Sequence, residues 1–180
     1  MILNRIALAT LLATGAGLMA QDARFGVQVQ VSIPQGDLKD LVDSKLGLGA
    51  GVHGTFAFDQ HAIRPRLDYV FYPEAEVTST SVSAKNKVSS LSLGADYLYF
   101  VDAKDNGIYF TGGLSAIRWN TDITLKGMNT VSADTTKLGV AVGLGYQWNK
   151  SVGTEIRYIT SSLSSNVSAN SINLGATFRF

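Results

Sequence analysis

Two short stretches of the chain carry charge at alternate positions. Arg64, Arg66 and Asp68 lie two apart in IRPRLDYVFY, and Glu155 and Arg157 lie two apart in VGTEIRYIT. That spacing puts such side chains on one face of a β-strand. Opposite charges gathered on one face can pair structurally, line a polar path, or work as acid and base. Asp96, Arg179 and His53 hold polar positions in other alternating segments. His53 and His61 are the only histidines. Neither has an evident Ser and carboxylate partner, so no catalytic constellation is expected, and two distant histidines do not make a metal site. The absence of Cys excludes disulfides, thiolate ligands and a lipoprotein anchor. Residues 49–54, GAGVHG, match G-x-G-x-x-G, but they lie inside a strand pattern with no helix after it, so the match is accidental. No enzyme activity and no cofactor are expected.

The elements that must position these charges are strands. The segments 25–33, 45–58, 63–72, 89–100, 137–148, 152–160 and 171–180 alternate apolar with polar or tiny residues. In the last of them Ile172, Leu174, Ala176, Phe178 and Phe180 oppose Ser171, Asn173, Gly175, Thr177 and Arg179. Residues 108–119 form a further strand whose facing the pattern does not fix, and a bulge there is plausible. Eight strands of roughly 9 to 12 residues have the length needed to cross a bilayer at a tilt. Long polar connections (34–44, 73–87, 120–136, 161–170) alternate with short turns at Asp59–His61, Asp102–Gly107 and Asn149–Ser151. A soluble sandwich has no reason to sort its loops in this way. A membrane barrel does, with short turns on the periplasmic side and long loops outside.

Residues 1–20 read as a signal peptide: Arg5 is the one charge, an apolar run follows, and Ala20 precedes polar Gln21 and Asp22. The run is too short to anchor the chain across a bilayer. Residues 21–180 are then one domain. Removing Arg5 takes Lys+Arg from 15 to 14 against 14 Asp+Glu, so the mature chain is neutral. A neutral chain argues against nucleic acid as a partner.

The 17 aromatic residues sit near strand ends. With the short turns and both termini on one side, that side collects Phe25, Phe56, Phe58, Tyr97, Tyr99, Phe100, Tyr109, Phe110, Tyr146, Trp148, Phe178 and Phe180. The other side collects Tyr69, Phe71, Tyr72, Trp119 and Tyr158. Two aromatic girdles around an apolar band mark a membrane barrel, because amphipathic rings favour the headgroup level. Lipid offers no hydrogen bonds to backbone groups, so the sheet must close, with strand eight antiparallel to strand one. The expected fold is all-β, an eight-stranded antiparallel up-and-down transmembrane β-barrel.

The signal peptide, eight alternating strands, sorted loops and the ending FRF resemble the small bacterial outer-membrane β-barrel family, which includes OmpA-like transmembrane domains and OmpX-like or OmpW-like proteins. The resemblance covers the whole mature chain but is to an architecture rather than to a residue motif. It implies the outer membrane as location, outer-membrane lipid and lipopolysaccharide as surroundings, and a monomer. It also implies that Phe178 and Phe180 are the terminal signal that the barrel-assembly machinery reads. No peptidoglycan-binding domain is expected after Phe180.

Eight strands leave a bore just wide enough to be filled by side chains. The expected inward set is Gln28, Gln30, His53, Arg64, Arg66, Asp68, Asp96, Glu155, Arg157, Asn173 and Arg179. Four Arg then face three acids, with Gly at many remaining inward positions giving room. Such charges must pair, either as a plug or as a gated path for small solutes. The leading expectation for function is a non-enzymatic outer-membrane protein with an envelope-structural or surface-interaction role. A narrow channel and a lipid-modifying enzyme are the alternatives.

Overall fold

The computed structural model describes residues 22–79, 82–102, 106–125, 130–164 and 167–180. Residues 1–20, expected as a signal peptide, lie outside them. Eight strands follow in order: β1 (Asp22–Gln35), β2 (Gly47–Phe58), β3 (His61–Ser79), β4 (Val82–Phe100), β5 (Gly107–Leu125), β6 (Thr130–Gln147), β7 (Val152–Ser164) and β8 (Val167–Arg179). Each pairs antiparallel with its neighbour, and β8 pairs with β1, so the sheet is a closed barrel. Closure removes every sheet edge from the lipid region, where an unpaired N–H or C=O would have no partner.

Alternation sorts the two faces as the sequence demands. Gln28, Gln30 and Ser32 are buried inside, whereas Phe25, Val27 and Val29 are exposed outside. The same holds for Arg64, Arg66 and Asp68 against Ile63, Leu67 and Tyr69 on β3. The outer wall therefore carries a continuous apolar belt, including Leu93, Leu114, Leu138 and Val142, each more than half exposed. Such a surface suits lipid and is far beyond what a water-soluble monomer tolerates.

β5 settles the facing that the sequence left open. Tyr109, Thr111, Ile117 and Trp119 point in, and Ile108, Phe110 and Leu114 point out. Its ladders to β4 and β6 are continuous, so the expected bulge is not there. Irregularities fall instead between Tyr72 and Ala75 on β3 and between Ser162 and Ser164 on β7. The β2–β3 ladder also skips the positions of Gly54 and Thr55 against Arg64 and Pro65, where Pro65 has no N–H to donate.

The strands are longer than expected. Segments 73–87, 120–136 and 161–170, read as loops from their polar composition, are mostly strand. The β3–β4 ladder continues to Ser79↔Val82 and the β5–β6 ladder to Thr124↔Thr130. β2 stops pairing with β3 at Leu48↔Phe71, and β7 pairs with β6 only from Val140↔Thr160. Beyond those levels β3–β6 stand as one four-stranded sheet above the barrel rim. Threonine, valine and isoleucine favour strand, but with water on both faces no alternation of hydrophobicity is needed. The polar pattern therefore looked like loop. The asymmetry of the barrel lies in strand length rather than in loop length.

The segment 34–44 is a strand end followed by a single helical turn, α1 (Asp37–Leu41). Positive φ at Gly36 and again at Asp43 and Ser44 turns the chain into the mouth and out again. Leu38 and Val42 are thereby driven into the bore, fully buried. Asp37 fastens the turn to β8, accepting from the N–H and the hydroxyl of Ser168 at 2.7 and 3.0 Å. Those donors, the N–H foremost, hold the Asp37 carboxyl below its ordinary value.

Candidate functional site

Midway along the bore, β3, β4 and β7 bring three arginines and three acids together. Asp96 sits at the centre. Its Oδ2 accepts from Arg64 Nη2 and from Arg66 Nη1, both at 3.0 Å, and its Oδ1 accepts from Arg157 Nη2 at 2.7 Å. Glu155 takes Arg64 Nη2 at 2.5 Å on one oxygen and Arg66 Nη1 at 3.3 Å on the other. Asp68 takes Arg66 Nε at 2.6 Å and also accepts from the amide of Gln28. All six charged side chains are buried. Three positive and three negative charges balance, which the low-dielectric interior demands.

Tyr109 belongs to this group and was missed. The sequence reading put it in the girdle, yet it is buried, donates to Glu155 Oε2 at 2.9 Å, and lies under the Arg64 guanidinium, 5.9 Å from its ring centroid. The available signal was parity. Tyr109 is in phase with Thr111, Gly113 and Ser115, the small or polar face of its strand. Two glycines make the packing feasible. A Cβ at Gly145 would collide with the Tyr109 ring, and one at Gly113 would collide with the Asp96 carboxylate.

His53 and Arg179 are buried too, but on the side of the network that bears the chain termini, on either side of Gly26 in the ladders of β1 with β2 and β8. The ring nitrogens of His53 have no hydrogen-bond partner among the described residues. His61 lies elsewhere, on the outer wall, with Nδ1 2.5 Å from the Tyr97 hydroxyl. Asn173 and Gln30 are inward, as placed from sequence. No group of residues able to hold a metal ion occurs among the described residues.

Apolar layers close the bore at both ends. At the end that bears the β3–β4 and β5–β6 hairpins, the hairpin end, Leu38 of α1 and Val42 just after it pack against Val70, Tyr72, Val88, Ile117, Trp119 and Ala169. At the terminal end, Ala57, Ala62, Leu98, Phe100 and Tyr109 form a second layer. Tyr72, Trp119, Phe100 and Tyr109, assigned to the girdles from sequence, thus face the bore. A strand-end aromatic serves either face equally well by position alone, and only its parity within the ladder decides. Among the described residues two small chambers of mixed polar and apolar lining remain, of about 30 and 10 Å³, and Arg66 and Arg157 line both. At roughly 10–15 Å³ per water, they have room for about two waters and one.

Phe178 and Phe180 stand exposed on the outer wall at the terminal rim, as do Phe25, Tyr146 and Trp148. At the hairpin rim the outward aromatics are Tyr69, Phe71 and Tyr158.

The family model described as outer membrane protein beta-barrel domain matches residues 6–180. The chain belongs to this outer-membrane barrel family. The apolar belt of this outer-membrane barrel is accordingly its lipid-facing surface, and the bacterial outer membrane is its location. Similar solved structures share the fold at low identity. Ail, the attachment invasion locus protein of Yersinia pestis, is 16% identical with a TM-score of 0.63, over 88% of this chain and 97% of that one. The N-terminal barrel domain of Pseudomonas aeruginosa OprF is 13% identical with a TM-score of 0.61, over 89% and 99%. Neisserial surface protein A is 15% identical with a TM-score of 0.59, over 89% and 100%. No relative is found among curated proteins.

Proposed function

We propose that this outer-membrane barrel is a non-enzymatic, closed-bore protein that acts at the cell surface through the sheet standing above its rim. One observation carries the reading: the bore is filled by a balanced charge cluster between two apolar layers, while β3–β6 continue past the level where their pairing with β2 and β7 ends. The solid bore supplies an anchor, and the projecting sheet supplies a surface. The two histidines lie apart, His53 inside and His61 outside against Tyr97, which supports the non-enzymatic reading. The two chambers favour a second reading, a narrow path for small solutes gated by the Arg66–Arg157 layer that lines both.

Two measurements test it. Purified barrel in a planar bilayer is expected to show no steady porin-sized current, and such a current would move the channel to first place. Single cysteines at Thr130 and Lys150 are expected to react with an impermeant thiol reagent on intact cells at 130 only. Labelling at 150 and not at 130 would invert the proposed orientation.

A further inference from the structure

The larger chamber of the bore lies between the ion cluster and the apolar layer of the hairpin end. Arg66, Asp68, Asp96 and Arg157 bound it from the cluster, and Val70, Tyr72, Ile117 and Trp119 from the layer. Ser90, Ser92 and Ser115 line it as well. Arg157 is the least engaged arginine of the cluster. It gives one hydrogen bond, from Nη2 to Asp96 Oδ1 at 2.7 Å, whereas Arg64 and Arg66 each bond to at least two acids. Its Nη1 and Nε have no hydrogen-bond partner among the described residues, and neither has Asn173 Oδ1. Arg157 and Asn173 both line the chamber, and each is only 4% exposed. Unmet polar groups this deep are costly and point to a partner from outside the chain.

The way in is stopped by α1. Leu38 and Val42 pack into the same apolar layer without lining the chamber, so they sit over it. The stopper is lightly held. Its polar ties are the bonds from Ser168 to Asp37 and one from Asn86 Nδ2 to the Leu41 carbonyl at 3.3 Å. Asp43 and Ser44 stand at φ of 53° and 60°, a conformation that side chains disfavour. Lifting the stopper relieves both, which offsets part of the cost of exposing Leu38 and Val42. With α1 lifted, the chamber becomes a blind well that the ion cluster closes below.

The lining selects the chemistry of an occupant. The cluster beneath is balanced, so a charged ligand would unbalance it in a low-dielectric site. The unmet groups are donors on Arg157 and an acceptor on Asn173, and a hydroxyl serves both. Several hydroxyls on one carbon chain replace the separate waters for which the chamber has room, and the C–H faces of that chain suit the Tyr72 and Trp119 rings. We propose that the well beneath α1 is a binding site for a small neutral polyol, with α1 as its lid. This goes beyond the surface role of the projecting sheet and rests on the closed bore, which makes the well a dead end.

The test uses the full mature barrel refolded in a sugar-free zwitterionic detergent, with folding verified by heat-modifiable gel migration. Trp148→Phe leaves Trp119, beside the chamber, as the one tryptophan. The probes are glycerol, sucrose as a polyol too large for the well, and acetate and methylammonium as small charged solutes. Glycerol is expected to change Trp119 emission saturably, and the other three are not. Asn173→Leu is expected to weaken glycerol about fivefold, the scale of one lost hydrogen bond. Ser90→Val, which exchanges a lining hydroxyl for a methyl, is a second variant with the same expected direction. Asp37→Asn should bind glycerol more tightly, because a looser lid raises the population competent to bind, and Tyr146→Ala on the outer wall should change nothing. No saturable glycerol response would mean that the chamber takes water only and would overturn the proposal. So would an equal response to sucrose or acetate, or glycerol binding unchanged in both lining variants. Saturable binding in a barrel that passes porin-sized current would discard the closed bore and keep the site, and no binding in a barrel that passes none would discard the site alone.

Discussion

The backbone N–H of Phe180 donates to the carbonyl of Phe25 at 2.9 Å, one bond beyond the β1–β8 ladder that closes the barrel. The ladder just above it pairs Gly26 with Arg179 and Val27 with Phe178. The ring of Phe180 itself lies outside, 83% exposed, at the terminal rim. Backbone and side chain thus have separate tasks there: the first completes the sheet, and the second faces the headgroup level.

Phe180→Ser keeps the backbone bond and loses the ring. The ring is worth at most about 2 kcal/mol of apolar transfer, which a closed eight-strand ladder survives. Refolding in detergent with heat-modifiable migration is the expected outcome in vitro. In cells the same variant is expected to accumulate in the periplasm or be degraded, if assembly reads the terminal aromatic. Wild-type amounts in the outer membrane would reduce Phe180 to ordinary interfacial packing.

Asp96 is bonded to three arginines, whereas Asp68 is bonded to one arginine and one amide. Asp96→Ala therefore leaves more buried positive charge uncompensated. A loss of roughly 3–5 kcal/mol is expected for breaking such a pair in a dry site, with a smaller loss for Asp68→Ala. Equilibrium unfolding in urea from lipid vesicles measures both. Equal losses would mean that water reaches the cluster and screens it.

Gly112 and Gly113 are neighbours with opposite facing. A Cβ at Gly112 meets nothing within 4 Å, while one at Gly113 meets the Asp96 carboxylate and the Ala95 carbonyl. Gly112→Ala is expected to change stability by no more than about 0.5 kcal/mol. Gly113→Ala should cost about 1–3 kcal/mol, as overpacking does. The two melting curves, read side by side, check the inward assignment of β5 directly, and a reversed order would contradict it.

Acid should loosen the mouth. The Asp37 carboxyl is held below its ordinary value by the Ser168 donors. A lowered folded value means that its contribution is complete above the unfolded value of about 3.9, and is lost as pH falls through the lower one. Trp119 packs in the same apolar layer as Leu38 and Val42, so it reports the seating of α1. In a Trp148→Phe background, Trp119 fluorescence is expected to change on the acid side. Asp37→Asn should show that altered signal already at neutral pH. An identical acid transition in both proteins would assign the change to other carboxylates.

Sequence by itself determined the membrane barrel. Period-two alternation around a ring of eight strands specifies two unlike faces, and the backbone's need for partners in lipid leaves closure as the only solution. It also placed Arg64, Arg66, Asp68, Asp96, Glu155 and Arg157 on the inner face, because parity needs no knowledge of neighbours. What the tertiary structure decided is which of these meet. Arg64 and Glu155 are 91 residues apart and touch only because the ring folds β3 across to β7. Tyr109 meets Arg64 and Glu155, and Tyr72, Phe100 and Trp119 pack as apolar stoppers at the ends of the bore, because distant strands face one another across it, although parity along each strand already set their facing. Those meetings arise only once the cylinder exists. The projecting sheet was hidden for the opposite reason: above the rim both faces meet water, so hydrophobic alternation, the signal that marked seven of the eight strands, has no physical cause to persist.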